Sequence, residues 1–157
     1  MMSGCHLISL LAVVLLSSAP SFTAYSGLHL RGPVPTGKAF AQKWVAMKGE
    51  SASALRFASR QAAPPLYGAT VDRAIIVVSK RLHSVVGFAF AFSFAQCTTI
   101  EKAFDQRFGK ATVGAERALQ WQSPQLEATL EHEGPEACVL IVSDRGWDEE
   151  ADRFKKS

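Results

Sequence analysis

The side chains able to do chemistry are few and stand apart. His29, His83 and His132 each lack a second histidine or cysteine two to four residues away, the spacing at which one element offers two such ligands to a metal. A hydrolase triad could draw on Ser143-Asp144 with a remote histidine, or on His83 or His132 with nearby acids. No serine, however, sits in the Gly-x-Ser-x-Gly turn that presents a nucleophile. Glu131 and Glu133 fall on one strand face, where paired carboxylates at a wet edge are solvated, and His132 between them reads as half-buried. Residues 32–38, Gly-Pro-Val-Pro-Thr-Gly-Lys, end in Gly-Lys without the spacing or the preceding strand of a phosphate loop. No catalytic, cofactor-binding or metal-ligating set is expected.

The cysteines and the amino terminus point to a compartment. Leu7 to Leu16 is an apolar run of about ten residues, too short for the roughly 20 that span a bilayer. Small residues follow it up to Ala24, Ser26 and Gly27. The pattern is that of a secretory signal over 1–26, cut near Ala24 to Ser26, although no Lys or Arg precedes the run. Cys5 lies ahead of the run and cannot be a lipidated cysteine, which must follow it. The mature chain then keeps Cys97 and Cys138, and an even pair in an oxidising compartment favours a disulfide. Buried thiols are the alternative. Neither cysteine has a neighbour that would make it a reactive thiolate. The expected location is periplasmic or secreted.

The formal charge is +3, unevenly placed. Residues 27–92 hold nine Lys/Arg against two acids, and 93–157 hold eight against twelve. Either the halves attract each other within one domain, or the first half offers a basic surface to an acidic protein or an anionic envelope component. Arg73, Lys80 and Arg81 are the candidate contacts. Basic residues do not interleave with aromatics as they do in nucleic-acid grooves, so no nucleic-acid partner is expected.

These side chains hang on one organising stretch. Ala74 to Val78, the turn Ser79-Lys80-Arg81 and Leu82 to Phe92 read as a hairpin. Phe88, Phe90, Phe92 and Phe94 alternate with small residues, giving one face of large rings. The rings are expected in the core; as an open face they would suit a small apolar ligand. Thr98-Thr99-Ile100-Glu101 has capping-box spacing and predicts a helix start. Ile100, Ala103, Phe104 and Phe108 form its stripe, and Gly109 stops it.

Upstream, 27–37 is an irregular lead-in, and Phe40, Trp44 and Met47 predict a helix of about ten residues ending at Gly49. Ala54 to Ala58 reads as a short strand, broken by Ala62-Ala63-Pro64-Pro65. Downstream, Ala118 to Gln122, Leu126 to Glu133 and Ala137 to Ser143 read as strands, the last central in its sheet. In the charged tail 144–157, Trp147, Ala151 and Phe154 have helical spacing.

The domain 38–143 thus contains a helix, a glycine stop and three antiparallel strands twice over, in 38–92 and 98–143, with Trp44 to Gly49 matching Phe104 to Gly109. The unit resembles the αβββ units of the β-lactamase-inhibitor-protein fold and of small envelope assembly lipoproteins. The Phe-Gly-Lys helix stop before a Trp-bearing strand is similar to that of many small exported bacterial proteins. The resemblance implies a two-layer αβββ-αβββ domain of the α+β class that binds another macromolecule, as inhibitor or adaptor, without the lipobox of those lipoproteins. A small secreted hydrolase, its regulatory subunit or an apolar-ligand carrier is the alternative.

Overall fold

The computed structural model describes residues 25–49, 51–61, 63–149 and 151. Residues 1–24 of the expected signal, and Phe154 of the tail stripe, lie outside the described residues. The protein is of the α+β class, with one long helix on an antiparallel sheet. The elements follow in the order α1 (Lys38–Lys43), β1 (Trp44–Ala46), β2 (Ala54–Ser59), β3 (Ala63–Leu66), β4 (Ala69–Val71), β5 (Arg73–Ser79), β6 (Ser84–Ser93), α2 (Phe94–Phe108), β7 (Thr112–Val113), β8 (Leu119–Gln122), β9 (Leu126–Glu133) and β10 (Ala137–Asp144). Eight strands form one sheet in the order β1-β2-β5-β6-β10-β9-β8-β7, and β3 and β4 form a separate hairpin.

Strand parity decides which residues enter the core. Phe88, Phe90 and Phe92 point to one face of β6 and are buried, joined there by Ala74, Ile76, Leu140, Val142, Leu126, Ala128, Leu130 and Trp121. Over the second half of this face lies α2, burying Cys97, Ile100, Ala103 and Phe104. Cys97 and Cys138 form the expected disulfide, tying the first turns of α2 to β10 with their Cα atoms 6.1 Å apart. In the chain-entropy view, closing such a loop stabilises the fold by about 4 kcal/mol. At the other end of α2, Asp105 Oδ1 accepts from Trp121 Nε1 on β8 at 2.9 Å and from the Ala111 N–H at 3.0 Å. Gly109, at φ 85°, ends the helix where its sequence position predicts.

The first half of the covered face lies under the amino-terminal arm. Tyr25 is only 2% exposed, with its ring 4.7 Å edge-on to Phe90 and near Phe88 and Trp44. Its hydroxyl donates to the Pro64 carbonyl at 2.8 Å, and Leu28 is buried beside it. The lead-in is therefore stitched to the sheet, Arg31 N–H donating to Val85 O at 2.7 Å and Val85 N–H to Gly32 O at 3.0 Å.

Several expectations need correction. The helix at 38 stops after six residues, and Trp44 begins a strand paired with Ser59. Burying the Trp44 ring beside Tyr25 and Phe40 is achieved from a strand as well as from a helix, and the ladder hydrogen bonds decide. Trp44 to Gly49 consequently shares no local conformation with the end of α2 at Phe104 to Gly109. Helix α2 starts four residues before Thr98, so the capping box is not formed; Phe94 N–H is satisfied by Glu136 O at 2.9 Å instead. Phe94 leaves the ring ladder as the first residue of α2 and is 59% exposed. Pro64 and Pro65 do not end a strand but sit in β3, in the irregular gap between its two paired positions, where no ladder donor is required.

Candidate functional site

The sequence-predicted catalytic candidates are not brought together. His83 lies in the turn before β6, while His132 is level with Phe92 through Cys138, about 30 Å away along the strand at roughly 3.3 Å per residue. His132 is exposed rather than half-buried, with its ring 6.4 Å from the exposed ring of Phe94. Asp144 is 3% exposed and committed to structure: its Oδ2 accepts from Arg31 Nε at 2.7 Å and its Oδ1 from Gly146 N–H at 3.1 Å. This pairing raises the Arg31 guanidinium further above its ordinary pKa through the hydrogen bond and the charge. Desolvation by burial raises the Tyr67 phenol, against the opposing charge of Arg107, whose guanidinium lies 3.7 Å over the ring. Among the described residues no group of three or more His, Cys, Asp or Glu could hold a metal ion. No helix there is long and apolar enough to cross a membrane.

The basic candidates separate as well. Arg73 opens β5, and Lys80 and Arg81 follow its far end, about 23 Å along the strand. Lys80 Nζ donates to Ser51 O at 2.6 Å. Ion pairs join the basic half to the acidic half among the described residues, Arg31 to Asp144 and Arg56 Nη2 to Glu149 Oε2, both at 2.7 Å. Attraction between halves thus accounts for part of the charge asymmetry.

What the fold does build is an open face on the reverse of the sheet. Register sets Val45, Ala58, Ile75, Ala89, Ile141, Thr129 and Gln120 directly opposite one another across seven strands. The centre of this row is aliphatic; Ile75 and Ala89 are half-buried and Ile141 is 39% exposed. The next row runs Arg73, Ala91, Val139, Glu131, so a guanidinium and a carboxylate bracket the apolar strip. On the other side lie Arg56, Val77, Gly87, Ser143 and Glu127.

Residues 145–149 run from the end of β10 to β2 as a strap. Glu149 is its anchor, accepting from Arg56 and, at 2.7 Å, from Ser51 Oγ, while Ser53 Oγ donates to the Glu149 carbonyl at 3.1 Å. Asp148 caps the turn that follows, its Oδ1 accepting from Ala151 N–H at 3.2 Å. A hollow of about 470 Å³ opens here, lined by Glu127, Thr129, Glu131, Ile141, Trp147 and Glu149 among others. Its carboxylates favour cationic groups and its Trp147 and Ile141 favour apolar ones.

Compared with known protein families, curated proteins and solved structures, the chain matches none.

Proposed function

We propose that this protein is an exported, non-enzymatic component of the bacterial envelope that holds another macromolecule on the open face of its sheet, as an inhibitor or adaptor does. Support comes from one surface: an aliphatic row partly open to solvent, bracketed by Arg73 on β5 and Glu131 on β9. Such a core of apolar contact within a charged rim is how protein interfaces are composed. The disulfide accords with an oxidising compartment. The ring ladder offers no competing ligand site, since Phe88, Phe90 and Phe92 are buried against Tyr25 and neighbouring side chains.

The strand order also accords with two αβββ units. β2, β5 and β6 follow α1, β8, β9 and β10 follow α2, and the last strand of each set meets its counterpart at the centre as β6 against β10. On this reading β1, β7 and the β3–β4 hairpin are additions to a duplicated core.

Immobilised mature protein tests the proposal in a periplasmic extract. Ile141→Glu places a charge in the middle of the strip and should reduce capture of the partner at least tenfold while leaving the fold intact. Equal capture by the two proteins would exclude the open face. A second pair of changes, Lys80→Glu with Arg81→Glu, addresses an anionic partner. If low-salt affinity falls with that pair and not with Ile141→Glu, the partner sits at the β5–β6 turn.

A further inference from the structure

The amino-terminal region has more than one bond with small residues at the first and third positions before it, the pattern that export peptidases cut. Ala24-Tyr25-Ser26 precedes Gly27, Ala19-Pro20-Ser21 precedes Phe22, and Ser17-Ser18-Ala19 precedes Pro20. Sequence pattern does not choose between the first two. The packing of Tyr25 does.

We infer that, if the chain is exported as proposed above, it is cut between Ser21 and Phe22, so that the mature protein keeps Tyr25 as an internal residue. A cut after Ser26 removes Tyr25, whose ring fills the space between Phe90, Phe88 and Trp44 and whose hydroxyl satisfies Pro64 O. It also removes half of a closed turn. Tyr25 N–H donates to Leu28 O at 3.0 Å and Leu28 N–H to Tyr25 O at 2.9 Å, around Ser26 and Gly27, both at positive φ. That two-residue geometry is the kind that closes hairpins.

A cut after Ala24 keeps the ring but places a new α-ammonium directly on the packed Tyr25. It also puts Phe22 at the third position, where a small side chain is required. A cut after Ala19 needs attack at the tertiary amide of Pro20. Hydrolysis at Ser21 meets none of these obstacles. A signal peptidase adds water across the Ser21–Phe22 peptide bond, leaving a carboxylate on the released Ser21 and an α-ammonium on Phe22, three residues ahead of the buried ring.

The full chain, produced in an exporting bacterium and recovered from periplasm or medium, tests this by amino-terminal sequencing and intact mass. Phe22 is the expected first residue; any other start overturns the inference. Ser21→Leu should stop or redirect the cut. Ser26→Asn, which suits the turn but is no longer small, should leave the start at Phe22. A full-length membrane-held product would overturn the export reading and the cut with it. Two chains made without a leader test the packing separately: one beginning at Gly27 should melt roughly 10 °C or more below one beginning at Phe22. Equal midpoints overturn the inference whatever happens in export.

Discussion

The two faces of the central strands are built from alternate residues and behave as different materials. On β6, Phe88, Phe90 and Phe92 carry rings into a closed core, while Gly87, Ala89 and Ala91 leave the reverse side low and smooth. On β10, Leu140 and Val142 are fully buried, whereas Ile141 between them is 39% exposed. The covered face therefore holds the fold together. The open face is less deeply buried, and on the proposed reading its side chains serve a partner. A set of substitutions along this divide should give large losses on one side and small ones on the other.

The largest effect belongs to the middle ring. Phe90→Ala should cost about 3–5 kcal/mol in urea unfolding, a large share of a total stability of roughly 5–15 kcal/mol. A loss below about 1 kcal/mol would mean that the covered face is not packed as described. Next comes the disulfide: replacing Cys97 and Cys138 together by alanine should cost about 2–5 kcal/mol. Thiol titration of the denatured, unreduced mature protein should find no free thiol; two labelled cysteines would remove the cross-link from the comparison.

Tyr25 gives the covered face a pH signature. Desolvation pushes its phenol up to about 12 from an ordinary 10.0. The folded protein thus keeps a proton that the unfolded chain releases. Its contribution is complete below pH about 10 and is lost as pH rises toward about 12, amounting to about 2–3 kcal/mol. Tyr25→Phe should flatten that alkaline fall at a cost near neutrality of about 0.5–1.5 kcal/mol for the bond to Pro64. An unchanged alkaline slope would assign the fall to another group.

The smallest effect is expected on the open side. Ile141→Ala should cost at most about 1–2 kcal/mol, below the roughly 2–5 kcal/mol typical of a buried isoleucine. A loss equal to that of Phe90→Ala would erase the distinction between faces.

Much of this architecture was legible in the sequence where a local period exists. The ring alternation located β6, the glutamate alternation located β9, the Ile100 to Phe104 stripe located α2, and cysteine parity located the bridge. Local signals failed where a partner distant in sequence decided the outcome. Trp44 has perfectly acceptable helical spacing to Phe40, yet Ser59 claims it for a strand. Thr98 and Glu101 have the spacing of a cap, but the helix takes its start at Phe94 from Glu136. The open row escaped notice for the same reason, since it draws one residue from each of seven strands and exists only once register is set. Tyr25 was hidden differently: it lies in a stretch whose small residues advertise removal, and nothing nearby in sequence announces the rings it meets.

The meeting of β6 with β10 also governs the order in which the sheet can be completed. β6 finds β5 at once across a short turn, but its other neighbour is the final strand, and α2, β7, β8 and β9 must all be made first. Until then the nascent chain carries an aromatic strand with an unpaired edge, the arrangement that invites pairing with another chain. Pairings between segments distant in sequence form slowly. The chain is thus committed to its native sheet only when its last strand arrives.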